Sequence, residues 1–518
     1  MLPAKSFFVF LKNRITLFVI CVSIFCPNTL FAQDSIFICK AGNIIYKNKI
    51  ALIDSLNFTK SENSTYINLY NSGLVIFRND VNYIDSITFA RPLIKPVDYI
   101  FDISSLPVIN IEISTAEWNN LLNYFDQNPD NEEYVLSNFS FNKNGIILKT
   151  DSTGLRIRGN TSRRRPEGSK GETHRLTNPD WHHASFSVKF NKYIKGKKLN
   201  GIEKMNLKWF KDDAMYVREV YCYDLFERFG IWTAPQSSYC RLNIKIKEDA
   251  SIAYFGVYEM VEPIDEDYLK HRKDKFINTK GFLWKASYGA DLTNASKNLM
   301  GIENITLTST YTPVYDLKTN ELMLDSAKNQ LADFITNLNS KSGTDFKNWL
   351  ISKMDVELFL KTYAVNVVCG MWDDYWGNKN NYYFYFDADG KFYFIPYDYD
   401  NTLGTSQIIS NSGTRDVLNW GNNANLMVKK IISFPEYESL YKSYLKELTN
   451  SNNNYFHYDH SYPRIINWHN MIKNYISNDT GEDMTLIDVP ASWGNCSFYR
   501  LLEAENNFFK IKTASIPK

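Results

Sequence analysis

The chain holds 518 residues, of which 44% are apolar, 22% charged and 15% aromatic. That composition supports a large buried core and excludes a disordered or collagen-like chain, and at about 150 residues per domain it predicts two to four domains. The formal charge is +1; without Lys5, Lys12 and Arg14, which sit in an N-terminal segment lacking acidic residues, the remainder is near −2, which argues against a whole-molecule electrostatic grip on nucleic acid or anionic membrane.

Residues 1–33 read as a secretory signal: a basic stretch ending at Arg14, an apolar run from Ile15 to Phe25, and a cleavage region at Leu30-Phe-Ala-Gln33. The run is too short to span a bilayer and no later segment is long and apolar enough, so the protein is expected to be secreted or held at the cell surface without a transmembrane span. A lipoprotein anchor at Cys21 or Cys26 fits less well, because Ile20 and Phe25 before them are bulky. The cysteines beyond this segment, Cys39, Cys222, Cys240, Cys369 and Cys496, are odd in number and scattered, which suggests buried thiols with one bridge such as Cys222 to Cys240 as the alternative.

Two 31-residue repeats follow, within residues 34–95: Ile36 to Phe58 and Ile67 to Phe89, each with a turn glycine (Gly42, Gly73) and each closing on Ile-Asp-Ser. They predict a small β module used for spacing or attachment. Next, Pro107 to Ser114 alternates as a strand, Thr115 to Phe125 reads as a helix capped by Ser or Thr, and strands are expected over Ser140–Leu148, Gly154–Arg158 and Ala184–Phe190. Lys204–Lys208, a helix over Ala214–Phe229, and strands over Tyr239–Lys247 and Ala253–Val261 continue a β-rich part placed at 100–300. Helices over Ser326–Asn339, Phe346–Lys353, Val356–Cys369 and Glu436–Leu448 make a helical part at 301–450, and 451–518 is an extension without a clear pattern. The fold class is α+β with a cleft between the two parts.

The densest polar signal runs from Trp372 to Gly404: Asp373-Asp374, Asn380-Asn381, a Tyr/Phe hairpin turning at Asp387-Ala-Asp-Gly390, and Asp398-Tyr-Asp400. In an extended chain Asp398 and Asp400 point to one side, where two carboxylates repel unless a hard cation such as Mg²⁺, Mn²⁺ or Ca²⁺ sits between them. Asp374, Asn381 and Asp398 also follow the order of protein kinases, in which an Asp takes the substrate proton and an Asn and a later Asp hold Mg²⁺ on the nucleotide. Asp387 and Asp389 are assigned to the turn, and His182 and His183 lack a third metal ligand. A second signal is the strand Gly154 to Arg158, carrying Arg156 and Arg158 on one face and followed by Gly159 and Arg163-Arg-Arg165. Lys189, Lys204 and Lys208 lie beyond it, with Glu259 and Glu262 as candidates for the lysine-holding glutamate. Lys189, mid-strand between Val188 and Phe190, is favoured over Lys208 as the phosphate lysine.

Taken together, Arg156-Ile-Arg-Gly-Asn-Thr-Ser162, Lys204-Met-Asn-Leu-Lys208, Leu225-Phe-Glu-Arg-Phe-Gly230, Gly256-Val-Tyr to Glu262-Pro-Ile-Asp265, Asn381-Tyr-Tyr-Phe-Tyr385 and Pro396-Tyr-Asp398-Tyr-Asp400 resemble, in order, the recurring pieces of the CotH family, the spore-coat protein H kinases. The likeness spans about residues 105 to 450; Tyr397 replaces the usual Trp, and Trp372 to Trp376 is unusually Trp-rich. The resemblance implies an atypical, two-lobed protein-kinase-like fold and an ATP- and divalent-cation-dependent phosphotransferase acting on secreted or surface proteins. Asp374 is then the catalytic base; Arg156, Arg158, Lys189, Lys208, Glu262 and Asn381 contact the nucleotide; Asp398, Asp400 and Asn381 hold the metal. The competing expectation is a non-catalytic surface adhesin or carbohydrate-associated binding module on the same fold, in which the carboxylates clip Ca²⁺.

Overall fold

The computed structural model describes residues 35–476 and 507–517, apart from residues 41–42, 50–51, 62–63, 85, 89–95, 161, 212, 214, 277, 405–408, 410–411 and 423–424. The expected signal segment and Cys496 lie outside the described residues. The chain divides into two compact units, residues 1–95 and 96–518.

In the first unit, β1 (Ser35–Lys40) and β2 (Asn43–Lys49) form a hairpin, as do β4 (Ser64–Asn71) and β5 (Leu74–Asp80); β3 (Ser55–Ser61) and β6 (Ser86–Thr88) are the strands that follow each Ile-Asp-Ser. β3 joins the hairpin of the second repeat, with Ser55 opposite Tyr70, and β6 returns to the hairpin of the first, with Ile87 opposite Ile38. An isolated hairpin is marginal in water. Each repeat therefore supplies the third strand of the other's sheet, and Ile36, Ile38, Ile67, Leu69 and Ile84 form the shared core.

The second unit begins with α1 (Pro96–Phe101), β7 (Val108–Ile113), α2 (Thr115–Gln127), β8 (Val135–Lys143), β9 (Ile146–Arg158), β10 (Ser185–Lys189), β11 (Lys204–Lys208), α3 (Arg218–Arg228), β12 (Ser237–Ile246) and β13 (Ala253–Val261). Its seven strands close into a barrel in the order β10-β11-β13-β12-β7-β8-β9, β7 and β12 being the parallel pair. Alternation sends Leu155, Ile157, Phe186, Val188, Met205 and Leu207 inward. The strand expected over Ser140–Leu148 is instead the bend of the β8–β9 hairpin: Asn144 and Gly145 both have positive φ (52° and 81°), the Asn-Gly signature of a tight hairpin turn. The helix expected from Ala214 begins at Arg218, because the Asp213 carboxylate accepts hydrogen bonds from the backbone N–H groups of Met215, Val217 and Arg218 and so holds the preceding turn.

After α4 (Glu266–His271), β14 (Phe282–Ala286), β15 (Met300–Gly301), the short β16 (Asn304–Ile305) and β17 (Thr310–Tyr311) pair, and β18 (Tyr315–Leu317), helices dominate: α5 (Leu324–Ser340), α6 (Gly343–Lys353) and α7 (Val356–Val368). The hairpin β19 (Tyr382–Phe386) and β20 (Phe392–Pro396) precedes α8 (Leu426–Ile432), α9 (Pro435–Thr449), α10 (Tyr458–Ile472) and α11 (Phe508–Ser515). The order β15-β18-β14-β19-β20 makes a five-stranded sheet that takes strands from both sides of residue 300. One face of it (Trp284, Phe384, Phe394) joins the core of α3, α5, α7 and α9; the other (Leu283, Tyr385, Ile395) packs with Tyr268, Leu269 and Phe276. Ile465 and Trp468 of α10 enter the first of these cores, which places the part of the C-terminal extension that is described. The architecture is mixed α+β, β-rich first and helical later. Cys39, Cys222, Cys240 and Cys369 are buried thiols, and among the described residues no helix is long and apolar enough to cross a membrane.

Candidate active site

The site is built on the outer face of the barrel. Arg158 on β9 lies opposite Ser185 on β10, the facing of Phe186 with Leu207 sets Ser185 beside Lys208 on β11, and Lys208 lies opposite Glu259 on β13. Because the neighbouring residues Ile157, Phe186, Leu207 and Met260 fill the barrel, this polar row must point outward. Lys189, four residues along β10 from Ser185, is about 13 Å down the strand, opposite Gly154 and Lys204.

Lys208 is 9% exposed and its ammonium is surrounded by carboxylates. It pairs with Glu219 from the first turn of α3, with Asp398 Oδ1 at 2.5 Å and with Asp400 Oδ2 at 3.7 Å. Tyr223, one turn along α3, donates its hydroxyl to Glu219 Oε1 (2.9 Å) and accepts from the Asp398 N–H (3.0 Å). Arg158 donates from Nη2 to the Tyr397 hydroxyl (2.9 Å), whose ring packs edge-on to Tyr383. Asp398 sits in the left-handed region at φ 62°, uncommon for a residue with a Cβ and characteristic of functional loops. The backbone is therefore not extended at this point. The outcome expected from alternation still holds, since one oxygen each from Asp398, Asp400 and Glu219 lie within 4.8 Å of one another.

Burial alone would pull Lys208 down, but Asp398, Glu219 and Asp400 hold it well above the ordinary lysine range. Burial would raise Asp398, yet Lys208 keeps it below the usual carboxylate range, with Arg158 helping. Asp400 is driven the other way, well above that range, by burial and by the charge of Asp398. Glu259, buried with Oε1 unpartnered, is also raised, by burial and by Glu219. Clustered oxygens with too few cations for their charges suit a hard divalent ion, so the donor set fits Mg²⁺ or Mn²⁺, and Ca²⁺ equally.

The loop after α7 supplies the second half of the site. Asp373 accepts from Asn378 (2.6 Å) and from Asn381 (3.0 Å), the latter at φ 50°. Burial and the charge of Asp398 push Asp373 above the usual range, against its amide donors. Adjacent Asp374 points inward. It is 2% exposed, accepts from Gly377 N–H (2.7 Å) and Asn366 Nδ2 (2.9 Å), and is pushed by burial up to about 7. Only glycine fits at 377, since a Cβ there would lie 2.0 Å from the Trp372 carbonyl oxygen. The structure thus places Asp373, rather than the Asp374 singled out from sequence, beside Asn381.

Other sequence candidates are engaged elsewhere. Arg156 shares the outer face of β9 with Arg158 but pairs with Glu132 (2.5 Å). Glu262 is bound by Arg272 (2.7 Å) and His271 (3.3 Å), which against its burial hold it at about 2, and it has no contact with Lys208. Lys189 lies outside the Arg158–Lys208 row, so the preference for it over Lys208 is reversed: both lysines alternate off the apolar face, and strand register separates them. Arg163 donates to the carbonyls of Gly159, Pro129 and Asn131, and Arg165 forks onto Asp126, so these two arginines brace loops. Asp387 accepts from the N–H groups of Asp389 and Lys391, as expected of a turn residue. Sequence reasoning missed Glu219 and Asp373. A glutamate in the first turn of a helix just after a Lys-bearing strand was a signal for the first; nothing local distinguishes Asp373 from its neighbour.

Comparison with curated proteins gives no match. The family model described as CotH kinase protein matches residues 155–495, well over half of the chain and including the Arg158–Lys208 row, Glu219, Asp373, Asn381, Asp398 and Asp400. The chain belongs to the CotH kinase family.

Proposed function

We propose that the protein is an ATP- and divalent-cation-dependent phosphotransferase that phosphorylates a hydroxyl of a protein substrate, on a two-lobed kinase-like arrangement of barrel and helical part. The observation that carries this reading is the Lys208–Glu219 pair set against Asp398 and Asp400, with Asp373 and Asn381 on the adjoining loop. Phosphoryl transfer needs positioning and charge neutralisation more than covalent chemistry. Lys208, held by Glu219, and Arg158 beside it bind phosphate oxygens; Glu219 and Tyr223 fix the lysine and the Asp398 backbone. Asp398 and Asp400, with Glu219 in reach, hold the cation, which supplies charge neutralisation on the phosphates when bound. Asp373, turned outward and raised, takes the acceptor hydroxyl proton as the new P–O bond forms and ADP departs, while Asn381 orients it. Residues 1–33 support placing this activity outside the cytoplasm, on secreted or surface proteins.

The test is nucleotide binding and transfer by the purified chain. ATP should raise the melting temperature only with Mg²⁺ or Mn²⁺, and Asp398→Ala should remove that shift. Stabilisation by Ca²⁺ alone, with no nucleotide response and no phosphate transfer under any metal, would refute the enzyme and favour a calcium-clipped binding module.

A further inference from the structure

The five-stranded sheet turns a second basic group toward this site. On β14, Lys285 lies opposite Asp316 of β18 on one side and Tyr383 of β19 on the other, so it shares the face whose Tyr383 packs against Tyr397, the acceptor of Arg158. Its natural counter-ions are taken: Lys318 pairs with Asp316 and, at 3.0 Å, with Glu303, and Arg156 holds Glu132. Among the described residues the Lys285 ammonium has no hydrogen-bond or ion-pair partner. A partly buried cation left without a partner is costly, and such groups cluster where a ligand completes them.

We propose that Lys285 is a second phosphate-binding lysine of this site, contacting polyphosphate oxygens beside the Arg158–Lys208 row. The placement is geometric: Lys285 stands opposite Tyr383, Tyr383 packs on Tyr397, and Tyr397 accepts from Arg158 next to Asp398. Glu132 is the anion this region already attracts: against its burial, Arg156, Lys204, Lys318 and Lys285 together hold it at about 2. Burial pulls Lys285 itself below the ordinary lysine range, with Glu303 opposing, and an anionic ligand would relieve that cost.

This inference rests on the phosphotransferase reading, and the experiment separates the two. Full-length protein, Lys285→Met, Lys285→Arg and Lys189→Met are titrated calorimetrically with Mg-ATP and, separately, with inorganic tripolyphosphate plus Mg²⁺. Lys285→Met should weaken both ligands at least tenfold with an unchanged or raised melting temperature of the free protein, Lys285→Arg should retain most of the affinity, and Lys189→Met should bind as the parent does. Parental affinity in Lys285→Met overturns the assignment and leaves the kinase reading standing. Lys285-dependent binding of tripolyphosphate without binding of ATP keeps the phosphate lysine and removes the nucleotide. A lower melting temperature of free Lys285→Met marks a structural cation and overturns the assignment, and a parent that binds neither ligand overturns both.

Discussion

Asp400→Asn isolates the electrostatic cost of the carboxylate cluster. Taking 4.8 Å as its separation from Asp398 and from Glu219, each pair repels by about 3.5 kcal/mol at an effective dielectric of about 20, while Lys208 at 3.7 Å returns about 4.5 kcal/mol. The balance is a net penalty of about 2–3 kcal/mol, which solvent screening of a side chain that is 33% exposed reduces to about 1–2 kcal/mol. In the cation-free protein the substitution should therefore stabilise, raising the melting temperature by about 1–3 °C for a chain of this size. The sign of the pH dependence follows from the same charges. The folded-state affinity of Asp400 for a proton is raised, so its contribution falls as pH climbs from the ordinary carboxylate value through the raised one, and the gap between variant and parent opens with pH. The assay is thermal unfolding at pH 6 and 8, in chelator and in millimolar Mg²⁺. Mg²⁺ should stabilise the parent more than the variant, closing or inverting the gap. A variant that melts lower than the parent in chelator, or one that gains the same increment from Mg²⁺, would refute the reasoning.

Lys208→Met leaves Glu219, Asp398 and Asp400 facing one another and should cost about 3–5 kcal/mol in chelator, partly recovered by Mg²⁺ in denaturant melts; Glu219→Gln should weaken Mg-ATP binding with a much smaller loss of stability. Asp373→Ala should abolish phosphate transfer while nucleotide affinity and melting temperature stay near those of the parent. Asp374→Ala orphans the Asn366 amide and Gly377 N–H and should cost about 2–4 kcal/mol, read by urea titration. Lys512, fully buried on α11 against the Ser412 carbonyl and the Trp420 ring, is pulled by burial down to about 7; the unfolded chain then binds the extra proton above that pH, so stability should rise from pH 7 to 9, and Lys512→Met should flatten the slope measured by denaturant unfolding.

What was legible in the sequence was whatever depends on neighbours along the chain. The alternation that puts Arg156 and Arg158 on one face and the amphipathic helices follow from periods of two and 3.6 residues, the Ile-Asp-Ser repeats from self-similarity along the chain, the ordered motifs from their resemblance to the CotH family, and the pairing of Asp398 with Asp400 was anticipated from their spacing. What only the tertiary structure decided was which distant groups share a charge. Glu219 rather than Glu262 holds the lysine because closure of the barrel turns the Arg158–Lys208 row toward α3, while Arg272 and His271 claim Glu262 just past the end of β13. Lys208 rather than Lys189 lies in that row because of strand register, which hydrophobic alternation leaves undetermined between positions four residues apart. Likewise Asp373 faces outward and Asp374 inward because Gly377 lets the loop fold against the Trp372 carbonyl, a packing constraint that two adjacent identical residues could not express in sequence.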